Sequence, residues 1–209
     1  MKPRVLDLNE SYTFSKYFEL SYTPQDILAD LGCTLERMDG LGLPIATGEL
    51  EWLPELSQSL RRRLKRVNVT TEQARREALI FPVIDRICDQ FDYGINIEYS
   101  LNVSNWLKGS LDYYISSPHN LLVIEAKQSD LTKGFTQLAV ELIALDQWAA
   151  RVESFQEPFL YGAVSTGEIW KFGRFCRESR VVTEFLTLHP VPQDLEFVVR
   201  SLIGILQGA

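Results

Sequence analysis

The spacing of Asp112, Glu125 and Lys127 is the feature that most constrains how this chain folds. These residues lie in two β-rich runs, 107–116 and 120–127, which are separated by a polar turn. Such runs on either side of a turn predict an antiparallel hairpin. The hairpin brings Asp112 close to Glu125. Because strand side chains alternate between faces, Lys127 shares the face of Glu125.

The position of the turn predicts the register of this hairpin. If the loop is centred just after Pro118, residue 116 opposes residue 121, and Asp112 opposes Glu125. Directly opposed residues share a face, with Cβ atoms roughly 4.5–5.5 Å apart. Ile124 and Ala126 are then expected to point to the other face. Two carboxylates at this separation repel each other unless a cation lies between them, so the register predicts a site for a divalent ion.

The rest of the chain predicts an α/β protein with a mixed sheet. Apolar residues at helical spacing predict a long helix from about residue 71 to 90 and another from 134 to 152. Strand-like runs lie between and after them, so the order from residue 71 is α-β-β-β-α-β-β-β-α, with helices packed on the faces of the sheet. We interpret residues 1–70 as a partly helical N-terminal extension and 71–209 as the main domain.

Composition favours a globular cytoplasmic protein, with 45% hydrophobic and 23% charged residues. The start of the chain lacks the apolar core of a signal peptide, and no apolar run is long enough to span a bilayer. Cys33, Cys88 and Cys176 form no CxxC pair, which is typical of reduced thiols. The glycine-rich stretch at 40–44 lacks the Lys-Ser/Thr of a phosphate-binding loop, so no nucleotide cofactor is expected.

One stretch of this acidic chain carries a net positive charge. The formal net charge is −7, whereas residues 61–76 hold seven bases and one acid. This stretch either contacts nucleic-acid phosphates or forms a solvated helix face, and the sequence leaves both interpretations open. The acidic remainder argues against tight, indiscriminate binding to duplex DNA. The candidate DNA-binding residues are Arg61, Arg62, Arg63, Lys65, Arg66, Arg75 and Arg76.

The residues of the hairpin fit the chemistry of a bound Mg²⁺ ion, with Mn²⁺ as a substitute. Mg²⁺ prefers oxygen ligands and commonly takes one or two carboxylates, filling its shell with water and substrate phosphate. Asp112 and Glu125 supply that pair, and the carbonyl of Ala126 adds a neutral oxygen. Lys127 would then orient or deprotonate the attacking water and stabilise charge that develops on the phosphate.

Two helical residues are candidates for supporting roles. Glu77, on the helix before the sheet, would reach the same metal or its water. Gln137, near the start of the next helix, would hold Lys127 or a water molecule. An alternative remains for the hairpin residues, because acidic and lysine side chains on a strand often form cross-strand salt bridges on a solvated face.

The pattern Asp112-x12-Glu125-Ala126-Lys127 within hydrophobic strands resembles the PD-(D/E)XK nuclease superfamily, which has the restriction-endonuclease-like fold. The α-β-β-β-α-β order over residues 71–165 is similar to the core of that family. Further matches resemble the nuclease domain at the N-terminus of type I restriction-enzyme motor subunits. They are Glu77-Ala-Leu-Ile-Phe-Pro82, Gln137 and the run from Leu160 to Phe172. Leu111 replaces the proline of the motif, and Glu141 stands where relatives often carry a second glutamine.

The resemblance implies a Mg²⁺-dependent nuclease that cleaves DNA, of restriction or repair type. It implies that Asp112 and Glu125 are metal ligands and that Lys127 is the catalytic lysine, with Glu77 and Gln137 in support. An alternative is a nuclease-fold module that no longer cuts and that binds nucleic acid or a protein partner. A homodimer or a partner subunit also stays open.

Overall fold

An eight-stranded sheet runs through the protein, whose computed structural model describes residues 4–40, 42–152 and 157–208. The strands are β1 (Thr34–Met38), β2 (Gly94–Ser104), β3 (Leu107–Ser116), β4 (Leu121–Ala126), β5 (Phe159–Ser165), β6 (Ile169–Cys176), β7 (Val181–Phe185) and β8 (His189–Pro190). The helices are α1 (Phe14–Glu19), α2 (Pro24–Asp30), α3 (Leu53–Arg66), α4 (Glu72–Arg75), α5 (Phe81–Phe91), α6 (Leu131–Val152) and α7 (Leu195–Gln207). A π-helical turn, Arg76–Ile80, joins α4 to α5.

The sheet is mixed, as the order of predicted elements indicates. Its strands follow the order β1-β7-β6-β5-β4-β3-β2, and β8 pairs with β6. The pairs β1–β7 and β4–β5 are parallel, and the other pairs are antiparallel. The parallel pair β4–β5 is connected through α6, which forms a β-α-β unit at the centre of the sheet. The predicted α/β class and mixed sheet are therefore confirmed, whereas α1, β1 and β8 were not predicted.

The β3–β4 hairpin has the register that its turn predicts. Ser116 pairs with Leu121, and the ladder continues to the pair of Tyr113 and Ile124. One further step along the same register brings Asp112 level with residue 125. Ile124 is buried in the hydrophobic cluster on one face of the sheet, together with Ala126. The predicted register is confirmed from Ser116 to Tyr113, and so is the predicted orientation of Ile124 and Ala126.

Helices cover both faces of the sheet. On one face, Ile84 of α5 and Leu202 of α7 are buried against the strands. On the other face, Leu28 of α2 and Leu142 of α6 are buried in a second cluster. Full burial of a leucine or isoleucine side chain stabilises the fold by about 1.5–3 kcal/mol, so both layers fix the sheet firmly. Within the described ranges, no helix has the length and apolarity needed to cross a membrane.

The N-terminal part of the chain packs onto the same sheet. Phe14 and Tyr17 of α1 are buried in the cluster that also contains residues of α6. The hydroxyl of Tyr17 donates a hydrogen bond to the carbonyl oxygen of Trp106, at 2.7 Å. The strand β1 extends the sheet by pairing with β7. Residues that we interpreted as an extension therefore supply one edge strand and part of the cover of the sheet.

The predicted long helix over 71–90 is present but is not a regular α-helix. It begins where the side chain of Thr71 accepts a hydrogen bond from the Ala74 N–H, at 3.1 Å. It then widens over Arg76–Ile80, where the Phe81 N–H donates to the Arg76 carbonyl five residues back. Pro82 follows directly and has no N–H to donate, so a regular α-helical bond is missing at this point. The wider turn changes which side chains face the sheet.

Candidate active site

The side chains of Asp112, Glu125 and Lys127 come together beside the end of β4. Asp112 Oδ2 accepts a hydrogen bond from the Ala126 N–H, at 2.8 Å, which ties β3 to β4 beyond their last paired residues. Lys127 Nζ donates to Glu125 Oε1. All three side chains are largely buried. The arrangement is thus a buried cluster, and the alternative of a solvated salt bridge on an open sheet face does not describe it.

Glu125 is the most deeply buried of the three, with 1% of its surface exposed. Its Oε1 atom accepts hydrogen bonds from Lys127 Nζ and from Gln137 Nε2, the latter at 2.7 Å. Its Oε2 atom is buried and accepts no hydrogen bond from an N–H or hydroxyl donor of the described residues, while the carboxyl group of Glu141 lies within hydrogen-bonding reach of Glu125. Burial, together with the nearby charge of Asp112, raises the pKa of Glu125 to about 8, although Lys127 opposes this shift.

A third carboxylate, Glu141, lies next to Glu125. Gln137 and Glu141 are four residues apart on α6, so their side chains are neighbours on one helix face. Gln137 Nε2 donates to Glu141 Oε1 at 2.8 Å as well as to Glu125. Glu141 is fully buried, and burial together with the charge of Glu125 raises its pKa well above the ordinary value. The sequence distinguished Glu141 only as a departure from the family pattern, although its spacing from Gln137 was visible.

Lys127 lies between β5, the start of α6 and α1. The Lys127 N–H donates to the Ser165 carbonyl of β5, at 2.8 Å. Gly134 lies directly above, where a Cβ atom would approach Lys127 Cγ and Val164 Cγ2 to 2.8 Å. Phe18 of α1 covers the ammonium group, with 5.3 Å between Nζ and the ring centroid. Burial has the largest single effect and lowers the pKa of Lys127, but the charge and hydrogen bond of Glu125 together with the charges of Glu72 and Asp112 outweigh it, so the pKa is raised.

Asp112 contacts a cation that the sequence assigned to another role. Arg76 Nη1 lies 3.2 Å from Asp112 Oδ1, and the same nitrogen contacts Glu98. Burial raises the pKa of Asp112, while Arg76, the Ala126 N–H and Lys127 lower it in part. The charge of Glu72 at the start of α4 also acts on Asp112. Arg76 is therefore part of the site rather than a free cation of the basic stretch.

Glu77 does not join the cluster that the sequence predicted for it. Its side chain is exposed and accepts a hydrogen bond from Gln73 Nε2, at 3.0 Å. Glu77 lies in the π-helical turn, where Arg76 is the residue that reaches Asp112. Since a π turn holds more residues than a regular turn, the 3.6-residue period used for the prediction does not apply here.

The predicted basic stretch divides into two groups. Arg75 is occupied, because its Nη1 atom lies 3.0 Å from the Thr166 carbonyl and 2.7 Å from Glu168 Oε2. Arg76 is bound to acids as described above, and Arg63 is half-buried with Nε at 3.5 Å from Ser59 Oγ. The exposed members are on α3, where they form a surface that we call the α3 basic face: Arg61, Arg62, Lys65 and Arg66.

The residues present fit a hard divalent cation with an incomplete protein shell. In the described part of the chain, no three His, Cys, Asp or Glu side chains form a complete metal site. Mg²⁺ does not need one, because it keeps several water molecules and uses one or two carboxylates. Glu125 Oε2 is a buried oxygen without an N–H or hydroxyl donor among the described residues. Ala126 directs its N–H toward Asp112, and the carbonyl of a strand residue points to the same edge as its N–H.

Comparison with protein-family models and with curated proteins finds no match to this chain. The chemistry of the site therefore follows from its own residues. Asp112 and Glu125 are two carboxylates of unequal burial. Lys127 is hydrogen-bonded to Glu125, and the amide of Gln137 joins Glu125 to a third carboxylate, Glu141. A carboxylate oxygen without an N–H or hydroxyl donor, next to a buried ammonium group, is suited to binding a cation and an anionic substrate side by side.

Proposed function

We propose that this protein is a Mg²⁺-dependent nuclease that hydrolyses phosphodiester bonds in DNA. The observation that carries the proposal is the meeting of Asp112, Glu125 and Lys127 in one buried cluster, with Glu125 Oε2 left without an N–H or hydroxyl donor among the described residues. Burying such groups is costly unless they are paired or bind an ion. A site that buries the carboxyl groups of Glu125 and Glu141 next to each other and beside Asp112 is more readily explained by metal binding than by stability alone.

The order and pairing of the elements support a restriction-endonuclease-like core. The irregular helix over 72–91 precedes an antiparallel sheet of β2, β3 and β4. The helix α6 then leads into β5, which lies parallel to β4. The resulting α-β-β-β-α-β order is similar to the core of the PD-(D/E)XK family. Asp112 lies on β3 and Glu125 on β4, which are the positions expected from the motif. The strands β6, β7 and β1 extend this core on one side.

Each residue of the cluster has a chemical role in this proposal. Asp112, Glu125 and the Ala126 carbonyl would hold the ion, which supplies Lewis-acid polarisation of the scissile phosphate. The ammonium group of Lys127 orients the attacking water and stabilises charge on the phosphate oxygens. Gln137 donates to Glu125 Oε1 and so fixes the direction of that carboxylate. The burial of the cluster strengthens all of these interactions.

A specific contact favours the second candidate, a nuclease-fold module that does not cut. Arg76 lies within ion-pair distance of Asp112, and Lys127 is bonded to Glu125, so each acid already has a positive partner. The net charge of −7 adds a general repulsion between the protein and DNA. In this alternative the cluster is a structural ion-pair network and the protein binds DNA or a protein partner.

Cutting assays distinguish the two candidates. We expect the purified protein to cleave at least one of single-stranded, duplex and branched DNA when Mg²⁺ or Mn²⁺ is present, and not in EDTA. Asp112→Ala is expected to abolish that cleavage, because it removes a ligand of the ion. The α-helical and β-sheet signal in circular dichroism serves as the control for folding. DNA binding without cleavage under all of these conditions would favour the inactive module.

The α3 basic face gives a separate prediction about DNA binding. Arg61→Glu, Arg62→Glu and Arg66→Glu, combined in one variant, are expected to weaken binding similarly for all DNA sequences. The dependence of affinity on salt should also flatten, by about 0.9 in the logarithmic slope for each phosphate that the variant no longer neutralises. Fluorescence anisotropy at several salt concentrations measures both quantities.

The matched control replaces the same three arginines with lysine, which keeps the charge. If the glutamate variant retains the affinity and the salt slope of the wild type, the α3 basic face does not contact phosphate. It would then be a solvated face or a contact surface for a protein.

A further inference from the structure

A cavity of about 600 Å³ opens next to Asp112. Its volume falls in the range of pockets that bind small organic groups. The cavity lies between the irregular helix and the edge strand β2, and Arg76 forms the wall that it shares with the candidate active site. Only the side chain of Arg76 therefore separates a group in this cavity from Asp112.

The cavity has apolar and aromatic walls. Phe81 stacks on the buried ring of Tyr113, with 6.3 Å between ring centroids and 25° between planes. The side chain of Phe81 itself is only half-buried. On the opposite wall, Ile97 is 52% exposed although it is a large apolar residue on a strand. Flat aromatic and apolar surfaces of this kind bind nucleic-acid bases by stacking, whatever the base.

The rim of the cavity is acidic, which disfavours binding of the phosphate group of a nucleotide. Glu72, Glu77 and Glu98 all line it, and Arg76 is the one cation among the described lining residues. Carboxylates repel a phosphate, but they accept hydrogen bonds from the exocyclic amino groups of bases. The guanidinium group of Arg76 is 5.2 Å from the centroid of the Tyr113 ring and contacts both Glu98 and Asp112. Chemistry thus favours a base inside the cavity and a phosphate outside it, toward the divalent ion that Asp112 would hold and the ammonium group of Lys127.

We propose that this cavity holds the base of an unpaired nucleotide next to the scissile phosphate. The proposal rests on the proposed nuclease function and deepens it by naming the substrate class. The substrate is DNA with a base that is free to leave the stack, as in a single strand, a bulge or a branch point. A base inside an intact duplex must first lose its pairing and stacking before it can enter.

Binding to two matched duplexes tests the proposal without cleavage. One duplex is fully paired, and the other carries a single bulged 2-aminopurine, whose fluorescence reports stacking. Ca²⁺ replaces Mg²⁺ so that binding is measured without cleavage. It offsets the charge of the carboxylates, but its looser coordination does not impose the octahedral geometry of Mg²⁺. We expect roughly tenfold tighter binding of the bulged duplex, which is what stacking of one base contributes, together with a change in 2-aminopurine emission.

Two variants identify the cavity as the source of this preference. Phe81→Leu removes the stacking ring, and Ile97→Ala removes an exposed side chain whose loss leaves the core intact. Each is expected to reduce the preference to less than about threefold, given that one stacked base accounts for roughly tenfold. The matched control is Phe91→Leu, because Phe91 is a half-buried phenylalanine of the same helix, stacked on Tyr93 away from this cavity.

The outcomes separate this proposal from the nuclease proposal. Equal affinity for both duplexes, no measurable binding to either, or a preference that survives both cavity variants would overturn the base-binding role. A preference that depends on Phe81 and Ile97 supports it even if no metal promotes cleavage, and in that case only the nuclease proposal fails. Cleavage of paired DNA without any preference for the bulge would leave the nuclease proposal standing and remove this one.

Discussion

Asp112→Asn and Lys127→Ala are each expected to lower the rate of DNA cleavage by at least 10²–10³-fold, on the order of what one transition-state contact contributes. Their effects on metal binding are expected to differ. Asp112→Asn makes an anionic ligand neutral and should weaken Mn²⁺ binding. Lys127→Ala removes a positive charge bonded to Glu125, so Mn²⁺ binding should be unchanged or stronger. Calorimetric titration of Mn²⁺ into each variant measures the difference.

Lys133→Ala is the matched control for Lys127→Ala, because Lys133 is an exposed lysine near the start of α6. It should change neither cleavage nor metal affinity. If the wild-type protein binds no divalent ion at millimolar concentration, even with DNA present, the cluster is a structural ion-pair network. The interaction module would then replace the nuclease as the preferred function.

The metal-free protein is expected to lose stability as the pH rises from about 4.5 to about 8. The pKa of Glu125 is about 8 in the folded protein, whereas the unfolded chain has the ordinary value of 4.5. Between these values the folded protein keeps a proton that the unfolded chain has lost, so the free energy of unfolding falls with rising pH. The contribution is fully present below pH 4.5 and is lost by about pH 8. Glu141, whose pKa is also raised, acts in the same direction.

Glu141→Gln separates this effect from other titrations. The glutamine keeps the size of the side chain and cannot ionise. It should raise the free energy of unfolding at pH 8, where the unfolded chain ionises this carboxyl and the folded protein resists its ionisation, and have much less effect at pH 4.5, where the native carboxyl is neutral. Urea unfolding in EDTA at both pH values measures the change. Glu196→Gln is the control, because Glu196 is an exposed helical acid paired with Arg200. An equal effect of Glu141→Gln at both pH values would contradict the assigned ionisation.

The elements with a strong apolar period were predictable from the sequence. The helix α6 and the strands β3 and β5 bury nearly every inward side chain, so their patterns are clear. The strand β1 was missed because four of its five residues are exposed and leave no alternation of polar and apolar side chains. Its position depends on hydrogen bonds to β7, and those partners are distant in the sequence. Pairing of this kind is not a local property of the chain.

The candidate site was predictable where it depends on strand geometry. The turn near Pro118 fixes the register, and alternation then fixes the faces of Glu125 and Lys127. The contributions of the helices were less predictable. Arg76 reaches Asp112 because the helix widens into a π turn before Pro82, and a regular helical period cannot indicate that. Phe18 covers Lys127 from a short helix whose sequence carries no recognisable signal.

The parallel pairing of β1 with β7 has a consequence for how the chain folds during synthesis. Thr34 is paired with Val181, so β1 cannot find its partner until the residues of β7 have been synthesised. Contacts between such distant segments close a long loop and slow the folding reaction. Until β1 docks, the backbone of β7 is an unpaired edge, and unpaired edges invite association between chains. Expression of residues 71–209 alone would make that exposure permanent, so aggregation of the fragment is the hazard to expect.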